Sequence, residues 1–461
     1  MLEYLKQIIK KQSGYVELRY HEHQSNAFMA QKGRVDQASS SQQNGIGIRV
    51  LENGAWGFSS TSNLDEPHIQ KSIDIARQAA MEIGNSRKNK IKGLQQVDLS
   101  QVVYTDPAYK ELNNIPFKDK INQVIEAEKE LQSKSKQIHT ARVQYSEIFE
   151  HKVIVTSDGA ACSRSLVRPE YKTTAFAGSG EEQLIAGKGV GVTGGWNCLF
   201  SHPSCSDILE STAKEAVDLL KAHHVNGGKQ TVILSPSLVG LLCHEAIGHT
   251  VEADFVQAGS IAQGKIGETI ASPLVTLCDA GMPKYPGGPG GLLPFDDEGV
   301  KCQPTTIIKQ GKLNSYLHDR ESALMFNTAP TGNSRAWSYS DEPLIRMTNT
   351  YLKPGETSLE EIIASTPDGL YITGAGNGQA DATGEFMFGA SSAYQIKDGK
   401  LGKMYREVTL AGIAFDTLQT VDAVSKEFQW DLGAGYCGKG QPAKVDAGGP
   451  YIRCQLNVGG R

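Results

Sequence analysis

His244-Glu245-Ala246-Ile247-Gly248-His249 sits inside an apolar run that begins near Leu238. Imidazole nitrogens suit Zn²⁺, and a carboxylate beside one of them can take a proton from a metal-activated water. The familiar zinc-hydrolase pattern, His-Glu-x-x-His, places its histidines at i and i+4 on one helix face. Here the second histidine comes one residue later. On a regular α-helix the two side chains would then diverge by about 140°. One wide turn absorbs the extra residue and brings them together, and such π-bulges recur at functional sites. Gly248 stands where a distorted turn needs a permissive backbone. The plainer alternative is a helix with two incidental histidines.

The flanking residues predict a rigid support for this group. Thr231-Val232-Ile233-Leu234 reads as a short buried strand, Ser235 as an N-cap and Pro236 as the first helical residue. The helix is expected to run through Leu238, Val239, Leu241, Leu242 and the histidines to about Phe255. Its apolar face would anchor it while the histidines point into a cleft.

Two histidines leave a hydrolytic zinc one protein ligand short. Glu252, Asp254 or a distant cysteine can complete the set. Glu252 lies about 80° from His244 on an ideal helix, an awkward reach. Both acids also read simply as a solvated helix face.

The 461 residues suffice for two or three domains with sizeable cores. Abundant glycine (49 residues) and sparse aromatics favour turns and extended strands over a helical bundle. The mildly negative net charge, with no basic block, argues against nucleic-acid binding as the core function. Met1 to Lys11 is too charged for a secretory signal and reads as an amphipathic helix, and no window resembles a membrane span. The eight cysteines are expected to be mostly buried thiols, with one recruited to metal.

The pattern predicts an α+β fold with mixed and antiparallel sheets. An N-terminal region, 1–225 with a sub-boundary near 85–105, precedes a larger metal-bearing C-terminal region, 226–461. Strands are expected at Val16–Tyr20, Asn26–Gln31, Gly45–Val50 and Ala55–Ser59, the last two joined at the hairpin signal Asn53-Gly54. A helix over about Glu66–Ile83 and a linker over Asn85–Gln95 follow. Next come a helix near Phe117–Lys134, strands at Gln137–Phe149 and Val153–Thr156, and a helix over about Ser206–His223. Gln310-Gly311 and Asp398-Gly399 mark further hairpins.

Other features are weaker. Pro286 to Gly291 lacks the ending of a phosphate loop and reads as a mobile loop or lid. His21 and His23 share a strand face and read as surface residues. His223 and His224 are assigned to a helix end. His318 and Arg320 suit oxyanion stabilisation or an ordinary structural role. Arg346, Asn349 and Tyr351 either line a cleft or hold it together.

The stretch from Pro236 to Phe255 resembles the His-Glu-x-x-x-His segment of the TldD/PmbA metallopeptidases, on the TldD side. So do Gly45 to Val50, Asp296-Asp297-Glu298-Gly299, Thr331-Gly332-Asn333, Arg346 to Tyr351 and Cys437-Gly438-Lys439-Gly440-Gln441, in the family's order along nearly the whole chain. The resemblance implies Cys437 as third zinc ligand, where thiolate chemistry suits the metal and neighbouring glycines allow close approach. Cys454, in a segment that reads as a terminal strand, is the rival. The implied enzyme is a cytoplasmic zinc metalloprotease. Zn²⁺ would sit on His244, His249 and Cys437, with Glu245 as general base acting on short or unfolded polypeptides. A dimer is implied, either a homodimer or a heterodimer with a PmbA-type subunit, without nucleic acid or membrane. A zinc amidase or deformylase-like hydrolase of small molecules, and a non-catalytic subunit with a structural metal, are the alternatives. Glu245 weighs against the last, since a structural zinc needs no adjacent base.

Overall fold

The computed structural model describes residues 1–179, 182–201 and 203–460. Its N-terminal part is built on a sheet of long antiparallel strands, in the order Ala55–Thr61, Arg34–Glu52, Tyr15–Gln31, Ile138–Thr156 and Ala161–Ser179. Val103–Thr105 and Glu182–Gly191 also pair with the last of these. Asn53 and Gly54 both adopt positive φ (49° and 72°), as the tight hairpin requires. Helices Leu2–Ile9, Glu66–Ser86, Phe117–Ser133 and Cys205–Leu219 lay apolar stripes on the sheet. Leu5, Ile8, Ile69 and Ile73 meet Val16, Leu18, Ile46 and Ile48 in one cluster. Val124, Leu131, Ile208 and Leu209 meet Tyr145 and Tyr171 in another.

The strands exceed expectation. Val16–Tyr20 and Asn26–Gln31 are parts of one 17-residue strand, and Gln137–Phe149 and Val153–Thr156 fuse into a 19-residue one. The polar residues between each pair are carried by continuous ladders on both neighbouring strands. His21 and His23 are buried, at 2% and 9% exposure, which overturns their reading as surface residues. His223 and His224 form a short strand against Tyr405 and Arg406, because the preceding helix ends at Leu219.

In the C-terminal part, five strands close on themselves. Asp368–Ala380 pairs with Gly228–Leu234, which pairs with Ile452–Gly459, then Val408–Ile413, then Glu385–Lys397 and back to Asp368–Ala380. A second, six-stranded sheet contains Leu277–Asp279, Asn349–Leu352 and Asp446–Gly449. One contiguous apolar core joins the two assemblies, from Val232 and Ile452 to Leu238, Leu242, Ile247 and Leu277. The hairpins at Gln310-Gly311 and Asp398-Gly399 form as expected. Pro289 to Gly291 is buried: Gly290 N–H donates to Asp446 and Gly291 N–H to Asn349. Those bonds fix the end of the segment read as a mobile loop or lid, while Pro286 and Gly287 are exposed.

The two parts meet across buried ion pairs around Asp296-Asp297-Glu298. Arg49 bridges Glu17 (2.9 Å) and Glu298 (2.6 Å), while Lys152 and Arg164 both bind Asp297. Each of these buried charges meets a partner of opposite sign, so removing one partner would leave an uncompensated buried charge.

Candidate metal centre

Strand Gly228–Leu234 delivers the chain to Ser235, whose backbone opens the helix at Pro236. Its hydroxyl pairs with that of Ser237 and caps no backbone N–H. The α-helix lasts only to Leu241. Leu242–Gly248 is a π-helical turn, closed by the N–H of His249 on the carbonyl of His244, and His249–Val251 is 3-10. The helix expected to continue to Phe255 is therefore broken, and the wide turn falls on the histidine pair. The two imidazole rings lie with centroids 5.3 Å apart.

Gly248 serves this turn for a reason other than backbone freedom. Its φ and ψ, −55° and −49°, are those of any helical residue. A Cβ there would instead stand 1.9 Å from Sδ of Met347. The turn needs the missing side chain.

Cys437 arrives from the far end of the chain on a small hairpin, Tyr436–Gly438 with Pro442–Lys444. Gly440 takes φ +72° at its tip. Glycine is not needed there for close packing, since a Cβ on Gly438 or Gly440 meets no atom within 4 Å. Arg346 secures the hairpin, donating to the carbonyls of Cys437 (2.7 Å) and Gln441 (2.8 Å). Cys437 Sγ lies 3.1 Å from His249 Nε2, and one donor atom each from His244, His249 and Cys437 lie within 4.8 Å of one another. Cys454 is buried in strand Ile452–Gly459, opposite Val232, outside this group.

Glu252 occupies the other side of His249. Its Oε2 is 3.1 Å from His249 Nδ1, and it is fully buried. Lys439, from the cysteine hairpin, donates to Glu252 (2.9 Å), to Asp254 and to the carbonyl of Ile345 (3.0 Å). Glu252 and Asp254, rivals for a ligand position in the sequence, are thereby partners of the segments that carry His249 and Cys437. This carboxylate–imidazole arrangement orients a ring nitrogen toward a cation. Glu245 Oε2 is 3.7 Å from His249 Nε2, with its side chain 28% exposed.

The site's chemistry fits a thiophilic cation. Both ring nitrogens of His244 are buried without a hydrogen-bond partner, which a buried polar group tolerates poorly. Burial alone would push the Cys437 thiol up, but the adjacent His244 and His249 bring it down to about 4. Burial would lower His249 too, yet hydrogen bonds to Cys437 and Glu252 raise it to about 10. His244 is likewise raised, its burial overcome by the neighbouring Cys437. A thiolate flanked by imidazoles exchanges protons for a soft or borderline metal.

His318 and Arg320 are not brought to this centre. His318 contacts Ser322, Tyr316 and Phe326, and Arg320 binds Asp158 and the carbonyl of Gln95. Asn349 braces Ala280 and Gly291, and Tyr351 joins an aromatic cluster with Tyr285, Phe428 and Trp430. Lys439 was not singled out in the sequence, although its segment was.

Three family descriptions match the chain: PmbA/TldA metallopeptidase domain 1 over residues 16–80, the central domain over 110–223 and the C-terminal domain over 227–460. A metalloprotease of Methanothermobacter thermautotrophicus is 33% identical over 97% of this chain and 95% of its own length. A zinc metalloprotease TldD homolog of Saccharolobus solfataricus is 27% identical over the full length of both chains. The crystal structure of TldE from Thermococcus kodakarensis, 18% identical, covers both chains completely with a TM-score of 0.78, a likeness of fold.

Proposed function

This chain belongs to the PmbA/TldA metallopeptidase family, and we propose that it acts as a zinc-dependent peptidase on short or unfolded polypeptides. His244, His249 and Cys437 would hold the ion. The observation that carries this reading is their convergence, with the unpartnered nitrogens of His244 and with Glu245 alongside. Zinc bound there supplies Lewis acidity, moderated by the charge that a thiolate donates.

The side chains do the rest. Glu245, partly open to solvent, takes the proton of the attacking water and returns it to the leaving amine. Glu252 grips Nδ1 of His249, so that Nε2 faces Cys437. Lys439 ties Glu252 to the cysteine hairpin, and Arg346 holds that hairpin by its carbonyls. An extended peptide would add by β-augmentation to an exposed strand edge of the glycine-rich C-terminal part. That mode selects unfolded substrates.

On this reading residues 226–461 form the catalytic unit and 1–225 support it. The family resemblance favours a cytoplasmic enzyme and a dimer, with a second copy or a PmbA-type subunit. Among the described residues no helix is long and apolar enough to cross a membrane.

The test is metal analysis combined with hydrolysis of unfolded peptides and of small amides, for wild type and Glu245→Gln at equal zinc content. Peptide cleavage that is lost in Glu245→Gln supports the proposal. Cleavage of small amides alone favours the amidase reading, and zinc without turnover on either substrate favours a structural metal.

A further inference from the structure

Between the N-terminal sheet and the Cys437 hairpin lies a buried cavity of about 20 Å³, room for about one water-sized particle. Five cationic side chains line it, Lys152, Arg164, Arg168, Arg335 and Lys444, against two carboxylates, Glu150 and Asp297. All seven are at most 9% exposed.

The charges do not balance. Asp297 is taken by Lys152 and Arg164, and Lys444 by Glu170 (2.6 Å). Glu150 is shared at longer range, 3.5 Å from Arg164, 3.6 Å from Arg168 and 3.7 Å from His21. His21 and His23 are driven toward the neutral form by burial first, so they add no compensating charge of either sign. Arg335 donates only to main chain, to the carbonyls of Met347 and Lys444, and no carboxylate among the described residues lies within 4 Å of it. The Nε atom of Arg168 is buried without a hydrogen-bond partner, and that of Arg164 faces only Glu150 Oε1, at 3.5 Å. Burial, with Arg168 and Arg346 nearby, pushes Arg335 down to about 10. Uncompensated guanidinium charge in such surroundings is costly unless an anion joins it.

We propose that this cavity binds a small monovalent anion, chloride in ordinary buffers, beside Arg168 and Arg335. Its place in the fold makes it a clamp on the cysteine hairpin. Lys444 is the register partner of Tyr436, next to Cys437, and Arg335 holds the carbonyl of Lys444 at 2.5 Å. Tyr436 in turn donates to Glu170 on the N-terminal sheet. Anion binding therefore stabilises the seating of the hairpin on that sheet, whatever occupies the neighbouring metal centre.

Halide exchange on the full-length protein tests this. Crystals grown in sodium bromide should show an anomalous peak between Arg168 and Arg335. In solution, replacing gluconate by chloride at constant ionic strength should raise the thermal midpoint by a few degrees, saturably, as linkage to a folded-state ligand requires. Arg168→Gln should abolish that dependence. If this variant does not fold, the wild-type halide measurements decide alone. Absence of a bromide peak in the cavity, or identical midpoints in the two salts, overturns the proposal.

Discussion

Gly248→Ala isolates the steric demand of the π turn. The added Cβ would stand 1.9 Å from Met347 Sδ, 3.0 Å from Met347 Cε and 3.3 Å from the carbonyl of Cys243. Ordinary contact begins near 3.5 Å, so the sulfur must retreat by about 1.6 Å. Met347 is fully buried, and its surroundings hold it. Its carbonyl accepts from Arg335, and Thr348 is bound to Asp279 by both its N–H (2.9 Å) and its hydroxyl (2.8 Å). A flexible thioether relieves part of the overlap, and overpacking of this kind costs about 1–3 kcal/mol. If the strain is relieved by the turn itself, zinc affinity falls about 5- to 150-fold. The assay is a double-mutant cycle with Met347→Ala, read by chelator competition for zinc and by thermal unfolding. Met347→Ala alone should destabilise by about 2–5 kcal/mol, and in that background Gly248→Ala should be nearly neutral. The reasoning fails if Gly248→Ala is harmless in the wild type, or equally damaging in both backgrounds.

Glu245→Gln should lower peptide turnover about 10²- to 10⁴-fold with zinc stoichiometry retained, and near-normal turnover would remove it from proton transfer. Alanine at His244, His249 or Cys437 should each deplete zinc by metal analysis; full zinc and activity in Cys437→Ala, with both lost in Glu252→Ala, would assign the third ligand to Glu252. Glu252→Gln weakens the hold on His249 Nδ1 and should reduce zinc affinity about 10- to 100-fold by chelator competition, with unchanged affinity counting against a positioning role. Burial would raise the Asp297 carboxyl, but Lys152 and Arg164 hold it well below its usual 3.8. Its contribution is therefore present above pH 3.8 and lost as pH falls below that value. Asp297→Asn should cost about 3–5 kcal/mol at neutral pH, with the gap to wild type narrowing in unfolding curves below pH 3.8.

Local signals carried the elements that local chemistry decides. Asp65 caps Glu66–Ser86 by accepting from His68 N–H at 3.0 Å, and Asn53-Gly54 turns its hairpin as composition predicts. The π turn was legible from histidine spacing and helix geometry. The full length of Tyr15–Gln31 was not, because His21 to Ser25 interrupts the apolar alternation while tertiary packing buries His21 and His23. Nor did any local pattern announce that five strands would close into a ring, since the pairing of Asp368–Ala380 with Gly228–Leu234 joins distant segments. Cys437 has no metal-binding spacing to either histidine; only the family resemblance pointed to it. The Lys439–Glu252 link was hidden for the same reason, its partners being 187 residues apart.

The separation of Cys437 from His249, 188 residues along the chain, also sets a timetable. At about 5–20 residues per second a ribosome needs roughly 10–40 s to add the cysteine after the histidines have been made. Strand Ile452–Gly459, which sits between Gly228–Leu234 and Val408–Ile413, comes later still. Until then the strand leading into the histidine turn lacks its neighbour, and the donor set is one thiol short. On the proposed function, a hydrolase of unfolded chains assembled in this order is inert while it is itself an unfolded chain, so the nascent polypeptide would be shielded from its own chemistry by the sequence of its synthesis.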